Sequence, residues 1–384
     1  MLGINTNINS LVAQQNLNGS QSALSQAITR LSSGSKINSA ADDAAGLAIA
    51  TRMQTQINGL NQGVQNTNSA VSLIQTASSQ LSALTTSLQR ISTLATEAAN
   101  GTLSQSDQVA AQQEVADQIA EVNRIASQTN FNGKNLLDGS AGIVTFQVGA
   151  NVGQTVTLDL SQSLSAAKIG GGLVQSGQTV GTIQGLSLDA NGAATTAAQP
   201  AITSVNVLSD GKGGFTFTDQ NGQALSTTAV GAIFTTGTAA GTGTAVTNLT
   251  LATGATSGMT AAQASAATQM VTQINAVNAP PTVSNLSISS ATGANQTIFS
   301  VANALATINN LQATLGATQN RLQAVAQTQQ ANSTNLSSAQ SQIQSADFAQ
   351  ETANLSRAQV LQQAGISVLA QANSLPQQVL KLLQ

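Results

Sequence analysis

The sequence predicts a mainly α-helical chain with a β-rich insert, its two ends joining in a long antiparallel coiled-coil-like helical bundle. Three observations lead there. Apolar residues recur at heptad spacing in both terminal zones of the 384-residue chain, at 1 to about 138 and about 291 to 384. Three of the 4 prolines and most of the glycines fall between them, at about 139 to 290. Aromatic residues make up 2% of the chain, all seven of them Phe. Such a chain must pack from Ala, Leu, Ile and Val, which suit narrow helical seams better than a thick core.

The elements follow in order. Leu17, Leu24, Ile28 and Leu31 step along a first helix that stops at Ser32-Ser33-Gly34-Ser35. A longer helix begins after Asp42-Asp43, whose carboxylates suit the positive end of a helix. One seam track carries Met53, Leu60, Ile74, Leu81 and Leu88, and the other Ile57, Val64 and Val71, with Thr67 and Ser78 in positions where apolar residues belong. From about residue 44 to 99 this helix would be on the order of 80 Å long at 1.5 Å per residue. Asn100-Gly101 closes it, and Ser104-Gln105-Ser106-Asp107 opens a third helix bearing Val115, Ile119, Val122 and Ile125.

Val144, Phe146 and Val148 alternate, Gly149 to Gly153 turns, and Val156, Leu158 and Leu160 alternate again, which predicts a hairpin. Phe215 and Phe217 follow Asp210-Gly211-Lys212-Gly213-Gly214 in another turn-and-strand pattern. A short helix is expected at about 260–276, and Pro280-Pro281 marks the return to the bundle. There Val301, Ile308, Leu315 and Leu322 form one track and Ile298 and Leu305 the other, with Gln312 breaking the second. Helices at both chain ends can pair antiparallel only if the middle is inserted at one tip, which brings the termini together.

Composition removes whole classes of function. With no His and no Cys there is no zinc finger, haem, iron–sulfur cluster, catalytic triad or disulfide frame. Lys and Arg number 11 and Asp and Glu 14, for a net charge of −3 without any basic cluster, so neither nucleic acid nor an anionic membrane is expected as a partner. Charged residues are 7% of the chain against a usual figure of about 25%. Weakly repelling polar surfaces fit a subunit that its neighbours cover. No apolar run reaches the roughly 20 residues of a membrane span, and the N-terminus lacks the pattern of a cleaved secretory signal.

Three patterns have the outline of catalytic or metal chemistry. Ser33-Gly34-Ser35-Lys36 has the spacing of a Ser–Lys nucleophile pair, but reads as a Gly/Ser loop rather than the helix such a pair needs. Asp42 and Asp43 point about 100° apart on a helix and read as dipole partners rather than metal ligands. Gly170-Gly171-Gly172 lacks the strand–loop–helix frame of a phosphate cradle. No catalytic, cofactor-binding or metal-ligating residue is assigned, and the chain is not expected to be an enzyme. The tail is more informative: Val379, Leu380, Leu382 and Leu383 follow Pro376 on a short amphipathic turn. A lone chain leaves them partly exposed unless they pack on Ile4, Ile8, Leu11 and Val12 or between subunits.

Several segments resemble the bacterial flagellins. They are Ile4-Asn5-Thr6-Asn7 through Ser10-Leu11, Arg30-Leu31-Ser32-Ser33-Gly34, and Asn38-Ser39-Ala40-Ala41-Asp42-Asp43 through Ile49. Gln128-Thr129-Asn130-Phe131-Asn132-Gly133 with Leu136-Leu137 continues the likeness. So do Ser356-Arg357-Ala358-Gln359-Val360-Leu361-Gln362-Gln363-Ala364-Gly365 and Leu369-Ala370-Gln371-Ala372-Asn373. The resemblance covers about 1–165 and 291–384.

It implies a subunit that polymerises into the flagellar filament for motility. Segments 1–43 and 345–384 would form an inner tube, 44–165 and 291–344 a helical shell domain, and 166–290 an outward-facing variable β-rich domain. It also implies type III export without a cleaved signal peptide, to an extracellular flagellum. The implied partners are further copies of the chain, an export chaperone on the C-terminal helix, and cap and hook-junction proteins. Residues expected to carry assembly are Ile4, Ile8, Leu11, Leu17, Leu24, Ile28, Leu31, Leu355, Val360, Leu361, Leu369, Val379, Leu380, Leu382 and Leu383. The patch that members sensed by host Toll-like receptor 5 use falls on Leu88, Gln89, Arg90, Leu94 and Glu114, with Ser92 and Thr93 where strongly sensed members carry charges. Leu380, Leu382 and Leu383 resemble the end read by cytosolic flagellin receptors. The metallopeptidase of some members needs His, which this chain lacks. The alternatives are a hook–filament junction protein and a secreted coiled-coil adhesin, told apart by extensive homopolymerisation.

Overall fold

The computed structural model describes residues 7–196, 199–239, 246–257 and 259–382; at 236–239, 246–247 and 375–382 the backbone alone is described. The chain divides into two compact units, one of residues 1–68, 147–155 and 324–384 and the other of residues 69–146 and 156–323.

In the first unit, helix α1 (Ile8–Ser33) starts where the Asn7 side chain accepts a hydrogen bond from the Ser10 amide at 3.2 Å. It stops at Gly34, whose φ of 67° is the left-handed conformation that glycine adopts without a Cβ penalty. The connector 34–43 then returns beside the other chain end: Lys36 donates its amide to the Gln344 carbonyl at 2.6 Å, and Ala346 donates to Gly34 at 3.0 Å. Helix α7 (Phe348–Leu382) runs antiparallel to α1, with Asn7 beside Ala372 and Leu17 beside Gly365. It continues through Pro376, where a short separate turn was expected. The start of α2 (Ala44–Ala99) lies along the end of α6 (Ala291–Gln344), joined by Ser333 to Asn61 at 2.9 Å and Gln340 to the Ala50 carbonyl at 3.2 Å. Residues 148–150 rest on Gly59 and Gly63 of α2, where a methyl group at Gly63 would overlap the Val148 carbonyl. Asn66 secures this turn through the Gln147 carbonyl at 2.9 Å.

The second unit holds the large side chains. Along α2, Leu73, Ile74, Leu81, Leu84, Leu88 and Ile91 are buried, as are Val301, Ile308, Leu315 and Leu322 along α6. Thr67 of the first unit is as buried as they are and bonds back to the Gly63 carbonyl, which meets its need for a partner. Helix α3 (Gln105–Gln128) opens with a reciprocal capping box between Ser104 and Asp107. Strands β1 (Asn130–Phe131) and β2 (Lys134–Asn135) form a small ladder, and β3 (Gly142–Gln147) and β4 (Thr155–Leu160) the expected hairpin.

The insert contains an antiparallel sheet of β5 (Thr179–Leu188), β6 (Ile202–Ser209) and β7 (Phe215–Asp219). Helix α4 (Thr227–Ile233), the hairpin of β8 (Phe234–Ala239) and β9 (Val246–Leu251), and α5 (Ala261–Val277) complete it. Its core joins Ile183, Val205 and Val207 to Ile233, Val271 and Ile274, with Phe217 stacked on Phe234 at 4.7 Å. Side-chain amides hold loops where charges are scarce: Asn275 both donates to and accepts from the Leu249 backbone, and Gln112 accepts from the Ile288 amide at 2.7 Å.

Candidate assembly interface

The pairing of α1 with α7 reverses ordinary burial. The residues that α1 turns toward its partner fall on two heptad tracks, Ala13, Ser20 and Ala27 and Ser10, Leu17, Leu24 and Leu31. On α7 they are Glu351, Ala358, Gly365 and Ala372, and Leu355, Gln362 and Leu369. The most deeply enclosed apolar residues are alanines: Ala13 at 7% exposure, Ala27 at 2%, Ala358 at 4% and Ala372 at 6%. Small residues on facing tracks bring the helices close, while the larger residues there are only half-buried. Ile8, Leu11, Val12, Ile28, Val360, Leu361, Ile366 and Val368 are exposed.

The expected assembly residues therefore divide. Leu17, Leu24, Leu31, Leu355 and Leu369 belong to the seam within the chain. Ile8, Leu11, Ile28, Val360 and Leu361 face solvent, so Ile8 and Leu11 do not obtain cover from the other terminus. Ile4 and Leu383 lie outside the described residues, and at Val379, Leu380 and Leu382 only the helical backbone is described. Beside the seam runs a groove of about 550 Å³ lined by Gly19, Ala23, Leu361, Ala364, Gly365 and Val368. Neither helix has charge enough to hold other chains off: α1 carries Arg30 alone, and α7 has no charged residue between Arg357 and Lys381.

The connector is held by Asp42. Its carboxylate accepts from the amides of Asn38 at 3.2 Å and Ser39 at 2.9 Å, from the Ser39 hydroxyl at 2.9 Å, and from Gln26 of α1 at 3.0 Å. These bonds, the one from Gln26 foremost, hold the carboxyl below its ordinary value. Asp43 accepts from the Gly46 amide at 2.9 Å at the start of α2, so one of the two carboxylates serves the helix end and the other the connector. The Ser33 hydroxyl bonds the Arg30 and Ser35 carbonyls, not Lys36.

The receptor-patch residues lie in the second unit, two of them inside it. Leu88 and Leu94 are buried, at 0% and 4% exposure, because they continue the inward face of α2 set by Leu81, Leu84 and Ile91. Gln89 is exposed. Arg90 and Glu114 hold each other through a two-pronged pair at 2.6 and 3.0 Å, and the Arg90 hydrogen bond keeps the Glu114 carboxyl below its ordinary value.

Among the described residues no group of three or more His, Cys, Asp and Glu is placed to hold a metal, and no helix is long and apolar enough to cross a membrane. A close helical pair with small residues inside and large apolar residues outside defines a structural, self-associating protein. Comparison with known proteins gives the particular family. The model of the bacterial flagellin N-terminal helical region matches residues 4–142, that of the flagellin D2 domain residues 172–277, and that of the bacterial flagellin C-terminal helical region residues 298–383. The B-type flagellin of Pseudomonas aeruginosa is 35% identical over 487 aligned positions that span all of both chains. Flagellin E of Vibrio cholerae is 35% identical over 387, spanning 99% of each. The solved structure of FliC from Burkholderia pseudomallei is 64% identical with a TM-score of 0.60, covering 66% of this chain and 99% of its own. The chain belongs to the bacterial flagellins: it is a structural subunit of the flagellar filament that serves motility, and not an enzyme.

Proposed function

We propose that α1 and α7 are the polymerising surface of this flagellin, and that the apolar residues they hold outward are covered by other copies of the chain. The observation that carries this is the exposure of Leu11, Val360, Leu361 and Val368 on a pair whose own seam is built from alanine. Burial of large apolar side chains is the main favourable term in association, and this pair keeps it in reserve. The chain ends then form an inner tube from 1–43 and 345–384, the long helices a shell, and the insert the outer domain. Removing residues 1–40 or 345–384 tests the reading. The remaining chain should stay folded and soluble yet fail to elongate filament seeds; a truncated chain that still polymerises would overturn it.

The same surface would serve the expected chaperone, cap and hook-junction partners. An export chaperone that covers the C-terminal helix would shield Val360, Leu361 and Val368 before assembly. Export through a type III apparatus without a cleaved signal agrees with the absence of Cys, since a disulfide would obstruct threading. Cap and hook-junction proteins would meet the same helices at the filament's ends. For Toll-like receptor 5, the side chains on offer are Gln89, Arg90 and Glu114, with Arg90 and Glu114 already paired to each other. Cytosolic flagellin receptors would read the Leu380, Leu382 and Leu383 end.

A further inference from the structure

The α1–α7 seam does not by itself define its register. Ala13, Ser20 and Ala27 recur at seven, as do Ala358, Gly365 and Ala372, and Leu17, Leu24 and Leu31 keep the same interval. Sliding one helix by a heptad again sets small residues against small and leucines beside the same track. Repetitive seams of this kind need a polar feature to choose among registers.

Besides Glu351 and Gln362 on the inward tracks of α7, one place in the pair is not repetitive. Pro376 lies within α7, and a proline nitrogen carries no hydrogen, so the carbonyl four residues earlier, that of Ala372, loses the amide donor that a regular helix would give it. Asn7 supplies one: its Nδ2 donates to the Ala372 carbonyl oxygen at 2.7 Å. Its Oδ1 meanwhile accepts the Ser10 amide and caps α1. The neighbouring Ser10 hydroxyl donates to Asn373 Oδ1 at 2.8 Å. A single amide thus fills two gaps, the open start of one helix and the proline gap of the other, and it does so only when the two chain ends meet in this alignment.

We infer that Asn7 and Pro376 form a register pin for the terminal helix pair, with Asn7 a positioning residue for filament assembly. A slipped pair keeps its alanine packing but leaves the Ala372 carbonyl unmatched, and it presents Leu11, Val360 and Val368 in the wrong relative positions to a neighbouring copy. The inference rests on the proposed role of α1 and α7 in assembly.

The test compares the full-length chain with Asn7→Ser, Pro376→Ala and the double variant, each grown on sonicated filament seeds. Serine keeps the capping oxygen but is too short to reach Ala372. Asn7→Ser should raise the critical concentration by about fivefold to tenfold, the usual effect of leaving a partly buried carbonyl unpaired. Pro376→Ala restores a backbone donor for that carbonyl, so the same Asn7→Ser change should cost less than about twofold there. An equal penalty in both backgrounds, or none in either, would overturn the pin. Register is read directly in the soluble chain, which has no cysteine of its own. Ser10→Cys with Asn373→Cys should crosslink when Asn7 is present. Ser10→Cys with Ile366→Cys, one heptad away, should crosslink only with Asn7→Ser. Crosslinking of the slipped pair with Asn7 intact would also overturn the inference. If the unaltered chain fails to elongate seeds, the assembly reading fails, and the crosslinks still decide the pin.

Discussion

The two long-helix regions of this flagellin use the same heptad spacing and bury opposite kinds of residue. In the second unit, α2 places Leu81, Leu84, Leu88 and Ile91 out of reach of solvent. In the first, α1 and α7 enclose Ala13, Ala27, Ala358 and Ala372 and leave Leu11, Val360, Leu361 and Val368 outside. One region has already spent its large apolar surface within the chain; the other still has it available for association. The difference teaches that periodicity identifies a helical seam but not its owner. The size of the residues on the inward track decides whether a seam stabilises a monomer or prepares it for partners.

The comparison breaks most readily at the leucines. Leu84→Ala and Leu88→Ala should each destabilise the second unit by about 2–5 kcal/mol in urea unfolding. Leu11→Ala and Val360→Ala should leave the monomer within about 0.5 kcal/mol while raising the critical concentration for growth. If both pairs cost the monomer alike, the two regions are not opposites. Next in size, Val368→Asp should abolish seeded elongation without changing the monomer's circular dichroism, because assembly would bury an unpaired carboxylate. Ala358→Leu sharpens the contrast from inside: overfilling the small-residue seam should cost about 1–3 kcal/mol of filament stability, where a seam sized for leucine would accept it.

The smallest effect is at the connector. Asp42 has its carboxyl held below the ordinary value of 3.8, so its contribution is complete above that value and is lost as pH falls through the lowered one. Asp42→Asn should therefore speed amide exchange at residues 34–43 by on the order of a few-fold at neutral pH. The difference from the unaltered chain should disappear in acid. A difference that persists there would assign the effect to shape rather than charge.

Much of this was legible in the sequence, and the misses have physical causes. The stride of Leu17, Leu24 and Leu31, the tracks through Leu81 and Leu88 and through Val301 and Leu322, the capped start at Ser104 and the hairpin around residues 149–153 all announce themselves by period or by turn chemistry. The inward alanines do not. In a chain filled with Ala and Ser, a heptad of small residues gives no contrast, so Ala13 with Ala27 and Ala358 with Ala372 pass unnoticed until the helices are seen together. Gly59 and Gly63 are hidden for a related reason, since only the approach of Ala150 to the first and Val148 to the second reveals why a side chain is excluded there. Leu88 and Leu94 belong to the expected receptor patch by family likeness alone. Their own spacing with Leu81, Leu84 and Ile91 marks them as core. Pro376 suggests a break, but the helix continues through it, and the Ala372 carbonyl takes a hydrogen bond from Asn7, 365 residues away in sequence.

The central contrast is tested most directly by amide hydrogen exchange, residue by residue, in the soluble monomer and in the assembled filament. Residues 73–91 of α2 are expected to be strongly protected in both states. Residues 8–33 and 348–374 should exchange far faster than α2 in the monomer, where the pinned pair opens often, and become protected in the filament, since an alanine seam buries little apolar area. Equal protection of α1 and α7 in monomer and filament would contradict the view that their large apolar faces are completed only by other copies of the chain.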